Sequence, residues 1–458
     1  ARGSRPASPD DAARPGAPGR PGVPRWIWVL VAAAGAGALA VAAWLTGITA
    51  VRELSDPGWI TRWGVPAGEL VSNLAMTMAI AAIIFAAGIL PPHAAGTERW
   101  HRSAAQRRAD AQEGPLPEHP AFTRTLRVAA VSAGVWTVAA LAVGILSYSD
   151  LAGIPVTAGE GFTAGLVAYV AGISVGQAWF WVTVIAAVVT TLVIAVRSHN
   201  GLFWTGILAM IGIVPLALIG HAAGGDDHYG AVNSIGLHLL GVVVWVGGLL
   251  VLVAISDTLV GPDGAQGRAR APREQGPTPL LHTALSRYSV LAGLGLVTVA
   301  LSGVVNASIR MDDPAQLTSP YGMLVVIKFL ATLGLGLVGL MHRRWVIPRL
   351  DAGPDRPSPA PARRLLWQLI AVEAVVMAAV MGLSAVLSRT APPVPEELAP
   401  DASPARILTG YELPPALEGA RWITMWRFDW LWVAIIAFLT LWYLRSVWQL
   451  RRRGDRWP

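Results

Sequence analysis

Apolar residues in this chain come in long unbroken runs, not in the alternation of a half-buried strand or the one-sided stripe of a soluble helix. Runs of about 20 residues are enough for a helix to cross ~30 Å of hydrocarbon. They recur at roughly 26–48, 68–90, 126–147, 177–197, 202–220, 232–257, 285–308, 321–341, 365–388 and 428–447, the windows that hydropathy picks out. The pattern predicts an all-α, polytopic integral membrane helical bundle of about ten transmembrane helices. A further stretch, FTAGLVAYVAGI (162–173), is too short to span and reads as an interfacial or re-entrant helix. The polar intervals 91–125 and 259–284 lack helical periodicity and read as flexible connectors.

Composition agrees and then adds orientation. Of the 458 residues 54% are hydrophobic and 14% charged, and the mean hydropathy is +0.51; a soluble domain carries about a quarter charged residues. A net charge of +7 and a pI near 10.3 would point to nucleic acid in a soluble protein. Here they mark the cytoplasmic loops of a plasma-membrane protein, with no nucleic-acid partner. Arginine concentrates in the N-terminal tail, in the even-to-odd loops and in the C-terminal tail, whereas 148–176 and 221–231 contain no Arg or Lys. This predicts both termini cytoplasmic and the 221–231 loop outside.

Residues 1–25, rich in Arg, Pro and Gly, read as a disordered tail, and the apolar run after them is too long for a signal-peptide core. Residues 26–197 then form N-terminal membrane helices, 198–390 a second membrane domain, 391–427 a Pro-rich external linker and 428–458 a last helix with its tail. The absence of an initial Met and the ending just past a helix are expected of a piece of something longer.

The candidate chemistry sits at 219–250, IGHAAGGDDHYGAVNSIGLHLLGVVVWVGGLL, at the joint between two apolar runs. Imidazole is the commonest side-chain metal ligand, and ionisable groups in hydrocarbon are costly and kept for a task. His221 ends one span, His228 lies in the loop with Asp226 and Asp227, and His238 stands inside the next span. A helical hairpin would bring the three imidazoles together as a metal site, with the acidic pair attracting cations. Gly241, Trp245 and Gly248 share a helical face with His238, and Trp245 is placed to wall off a pocket beneath the imidazole. With no cysteine in the chain, a soft metal must rest on His or Met.

Other embedded polar residues offer a path or supporting contacts. Lys328 repels cations, pairs with a carboxylate or snorkels outward. Glu373 is a carboxylate suited to a cation or proton relay, or a neutral structural acid. Met377 and Met381 follow it at i+4 spacings, and thioethers suit Cu(I), although methionine is more often core filler. Met76, Asn73, Ser302 and Asn306 are weaker members of the same set. His93, His101, His119, His199, His282 and His342 fall among arginines at cytoplasmic ends and receive no role.

The stretch HLLGVVVWVGGLLVL (238–252) resembles the signature helix of the CopD-type copper-resistance membrane family. LSRYSVLAGLGLVTVALSGVVNA (285–307), YGMLVVIKFLATLGLGLVGLMHRRWVIPRL (321–350) and LLWQLIAVEAVV (365–376) resemble the same family in the same order. Residues 409–458 look like the opening of a CtaG-type cytochrome c oxidase assembly domain, of the kind fused behind CopD-type domains in actinobacteria. The resemblance implies copper, of either oxidation state, handled at the plasma membrane without catalysis. It carries over to His238 most directly. It also implies membrane lipid, periplasmic copper-binding proteins and cytochrome c oxidase subunits as partners. Two rival readings stand beside it: a redox protein holding b-type haem between two embedded histidines, and a metal-free scaffold for assembly of a respiratory complex.

Overall fold

The computed structural model of the protein describes residues 23–92, 118–219, 228–259, 280–311, 313–350, 360–393, 441 and 445. Among these residues it is wholly helical, and nine helices are long and apolar enough to cross a membrane. We number the helices α1 Ile27–Thr46, α2 Gly58–Ile89, α3 Pro120–Ala152, α5 Ser174–Ala195, α6 His199–Ala217, α7 Gly230–Leu259, α8 Leu280–Arg310, α9 Pro320–Arg349 and α10 Arg364–Leu387. The short α4, Glu160–Gly172, lies between α3 and α5. These nine spans match the first nine apolar runs, and several extend beyond their windows because the helix continues past the hydrocarbon. The expected tenth span, 428–447, lies outside the described residues apart from Leu441 and Arg445, as do the tail 1–22 and most of both connectors.

Local chemistry accounts for the helix ends. Ser319 accepts a hydrogen bond from the Gly322 amide at 3.0 Å, with Pro320 in the first turn, a start signal with a mechanism. Ser198 caps α6 in the same way through Gly201. At the other end of α3, Gly153 takes φ +66°, and a Cβ there would fall 2.4 Å from the Ser55 hydroxyl. Both the left-handed turn and the close approach of the α1–α2 loop require glycine.

Ion pairs and caps identify the two ends of the bundle. Arg52, between α1 and α2, reaches Asp150 at the end of α3, and Arg389, just past α10, reaches the same carboxylate; we call this end the Asp150 face. At the other end Val23 bonds Ser256 near the end of α7, and Arg287 at the start of α8 bonds the Ile89 carbonyl at the end of α2. Exposed tryptophans ring both levels: Trp44, Trp59 and Trp181 towards the Asp150 face, Trp26, Trp204 and Trp345 towards the opposite, Trp26 face. Trp26 and Trp44 are separated by a helical rise of ~27 Å, close to a hydrocarbon thickness. These are the two aromatic belts of a membrane protein.

In hydrocarbon there is little hydrophobic gain from helix association, so close backbone packing through small residues must hold helices together. α7 meets α8 through Gly241 and Gly295, where an added Cβ on either would lie within 3 Å of the other's carbonyl oxygen. α1 meets α10 through Gly35, Ala378 and Gly382, and α2 meets α3 through Gly64 and Gly68. The central helices are α2 and α7, with 67% and 72% of their apolar windows buried, whereas α8 and α9 bury 17% and 11% and present most of their surface to lipid. The short α4 does not span, as its length predicts; Phe162 and Tyr169 anchor it on Tyr148, with ring centroids at 4.9 and 5.7 Å.

Candidate functional site

Three of the helices contain a π turn: Phe85–Ile89, Val243–Gly247 and His342–Val346. One extra residue in a turn shifts the hydrogen-bond ladder, and such turns gather at functional sites. In α7 the Trp245 carbonyl, inside the π turn, accepts a 2.5 Å hydrogen bond from the Tyr288 hydroxyl of α8.

His238 stands about one and a half turns before that π turn, on the stripe where α7 packs against α8. Seven-residue spacings line the contact: His238 and Trp245 on one helix, Tyr288, Gly295 and Ser302 on the other, running antiparallel. His238 Nδ1 lies 3.2 Å from the Ser302 hydroxyl. Ser302 has one proton and places it on the Thr298 carbonyl at 2.5 Å, so its oxygen accepts from His238 Nδ1–H. That places the proton on Nδ1, and the Val299 backbone carbonyl is a second acceptor beside the ring. An imidazole held through one nitrogen, with the other available, is the arrangement of a metal-ligating histidine. Lys328 of α9 lies within electrostatic reach of the ring.

The remaining expected residues fall differently. His221, Asp226 and Asp227 lie outside the described residues. His228 begins the helix His228–Val242 that also carries His238. Ten residues of helix separate the two, a rise of ~15 Å, so the structure does not bring His228 to the level of His238. The 238–241–245–248 face is filled by α8. Trp245 packs on Gly295 and Gly248 on the Tyr288 ring, so Trp245 forms part of a helix contact and does not wall a pocket. The methionine stripe divides. Met377 and Met76 belong to the main buried cluster, and Met381 to a second one with Leu39, Leu70 and Leu324. Among the described residues no group of three or more His, Cys, Asp or Glu is gathered in metal-holding geometry.

Two groupings escaped the sequence reading. The first is His342, which does not lie free among arginines. It starts the π turn of α9 with its Nδ1 3.5 Å from Glu373 Oε2 of α10. Both residues are buried, at 9% and 3% exposure; Glu373 Oε2 and His342 Nε2 make no hydrogen bond. The Tyr288 ring is within electrostatic reach of Glu373. Along α8, Tyr288 and Ser302 are fourteen residues apart, ~21 Å, so the Glu373–His342 pair and His238 occupy opposite halves of the membrane. The second is the cluster at the Asp150 face: Asp150 between Arg52 and Arg389, with Glu69 of α2 3.8 Å from Arg389 and accepting from Ser388 at 3.0 Å. A strict seven-residue repeat shared by two antiparallel helices was the available signal for the His238–Ser302 pairing. No local signal announces the other contacts, because their partners lie on helices distant in sequence.

Nine apolar crossings held by glycine contacts, with polar groups buried between them, define a polytopic helical membrane protein. Residues 60–232 match the model of the copper resistance protein D-like N-terminal domain, and residues 282–387 match that of copper resistance protein D. The chain thus carries copper resistance protein D family domains, and with them a copper-related membrane function. α7 from residue 233 onwards, with His238, lies between the two matched stretches. The chain is similar to the inner membrane protein YebZ of Escherichia coli (strain K12), at 26% identity over 206 residues, 44% of this chain and 66% of that protein. It is also similar to an uncharacterised protein of Mycobacterium leprae (strain TN), at 24% identity over 404 residues, 88% of this chain and 51% of that protein. The chain therefore spans just under two thirds and about half of the lengths of these curated relatives. No solved structure matches it. Residues 409–458, where the oxidase-assembly resemblance was read, lie outside both matched stretches.

Proposed function

We propose that the protein takes up copper at the Asp150 face and passes it into the membrane for import or for delivery towards cytochrome c oxidase assembly. The observation that carries this reading is His238, a membrane-embedded imidazole whose Nδ1–H is held by Ser302 so that Nε2 is presented as a donor. This reading assigns His221 and His228, with Asp226 and Asp227, to the entry, of which His228 alone is among the described residues. The copper resistance protein D domains on either side supply the cargo. The Asp150 face is the extracytoplasmic one in this reading. Its arginines Arg52, Arg62, Arg310 and Arg389 are each held by Asp150, Asp56, Asn306 or Glu69, whereas Arg25, Arg124, Arg127, Arg197, Arg343, Arg344 and Arg364 collect at the Trp26 face, as positive loops do on the cytoplasmic side.

The test is copper affinity of the full chain in detergent, by equilibrium dialysis against Cu(II). His238→Ala is expected to weaken the tightest site at least about tenfold, the scale set by loss of a ligand or of its support. An unchanged affinity rejects the site. Copper counted per chain together with any co-purifying oxidase subunits separates this reading from a metal-free scaffold.

A further inference from the structure

A buried carboxylate and imidazole that face one another ordinarily close to a hydrogen bond of 2.7–3.2 Å, and buried polar atoms left without partners are rare enough to require a cause. The pair in the Trp26-side half of the bundle departs from both rules. His342 Nδ1 and Glu373 Oε2 stand 3.5 Å apart, and Oε2 makes no hydrogen bond although its residue is 3% exposed. The gap leaves the two facing atoms without a shared proton, as donors available to a bound ion.

The surroundings support the same conclusion. His342 opens a π turn, which re-aims the side chains that follow it,. Met377, 1% exposed, follows Glu373 by one turn on the same face of α10,. Tyr288, the other polar group facing Glu373, has its proton committed to the Trp245 carbonyl, so it does not close the gap. A nitrogen and a carboxylate oxygen with a thioether one turn away is a donor set that copper accepts.

We propose that His342 and Glu373 form a second metal station, in the opposite half of the membrane from His238, holding a copper ion through one imidazole nitrogen and one carboxylate oxygen. The proposal rests on the copper reading above, extends it to a ligand pair it does not use, and makes transfer a passage between two stations.

The experiment is Cu(II) titration of the full chain in detergent, following copper bound per chain and the electron paramagnetic resonance signal. The chains compared are wild type, His238→Ala, and His238→Ala carrying either His342→Phe or Glu373→Gln. The His238→Ala chain is expected to keep about one equivalent of Cu(II) showing hyperfine coupling to a single imidazole nitrogen. His342→Phe should abolish that coupling, and Glu373→Gln should weaken the site at least about tenfold. Glu373→Gln preserves side-chain volume, so loss of copper with an unchanged melting temperature separates ligand loss from misfolding. A His238→Ala chain without nitrogen-coupled copper overturns the second station while leaving His238 in place. Residual copper indifferent to both inner changes overturns it too. Copper lost with His342→Phe but untouched by His238→Ala overturns the outer site alone.

Discussion

Two acidic groupings in this molecule solve the problem of charge in a membrane in opposite ways. At the Asp150 face, Asp150 and Glu69 have side chains 16% and 15% exposed, and the guanidiniums of Arg52 and Arg389 together with Ser388 serve them. Inside the Trp26-side half, Glu373 faces His342 at 3.5 Å, without a hydrogen bond at Oε2. The first cluster ties together the α1–α2 loop, α2, α3 and the end of α10, segments far apart in sequence, and is built as a clasp. The second connects two helices loosely and leaves donor atoms unused, a poor way to hold a fold. Buried polar atoms left without partners are uncommon and ask for a cause, and an ionisable one in hydrocarbon is a candidate for function.

The sharpest test of that contrast is Arg389→Ala. It takes one of two guanidiniums from Asp150 and leaves Glu69 with Ser388, a loss of about 1–3 kcal/mol; the melting temperature in detergent should fall by a few degrees. The double change Arg389→Ala with Asp150→Ala should recover part of the loss, which a double-mutant cycle measures. At the inner pair the opposite sign is expected. Glu373→Leu removes an unsatisfied buried acid, so thermal stability should hold or rise by about 1–2 kcal/mol while copper binding drops. A clear fall in stability there would make Glu373 a structural group and erase the contrast.

Smaller effects sharpen the picture around His238. Ser302→Ala removes the group that orients the imidazole, and support of this kind is worth about tenfold in metal affinity; dialysis against Cu(II) reads it directly. Lys328→Met should tighten the same site by about fivefold, since removing a nearby positive charge favours a bound cation by roughly 1 kcal/mol. The smallest effect is expected at Tyr169 in α4, whose hydroxyl is buried without a hydrogen bond. Burial first, and the Asp150 charge second, push its phenol up to about 12. Tyr169→Phe should therefore leave the unfolding free energy within about 0.5 kcal/mol of wild type, read from the thermal transition.

Membrane spans are legible from sequence because hydrocarbon imposes a length and an apolarity on every crossing helix, whatever its neighbours. The nine described spans, the short α4 and the embedded position of His238 follow from that rule. The importance of His342 did not, since a histidine among arginines near a helix end looks solvated until the helix beside it is known. Met377 and Met381 share a helical stripe in sequence, yet packing puts them in different buried clusters.

The sequence by itself determined that this is an all-helical membrane protein and where its described spans lie, and the absence of cysteine left imidazole and thioether as the donors available to a soft metal,. Only the tertiary structure decided which donors meet. The pairings His238 with Ser302, His342 with Glu373 and Arg389 with Asp150 depend on helix neighbours and rotations set by glycine contacts such as Gly241 on Gly295. Those contacts join residues 54 positions apart in the chain, and up to 239 at Arg389–Asp150. Hydropathy acts on each helix alone, whereas partner choice is a property of pairs, and so the crossings could be read from the chain and the sites could not.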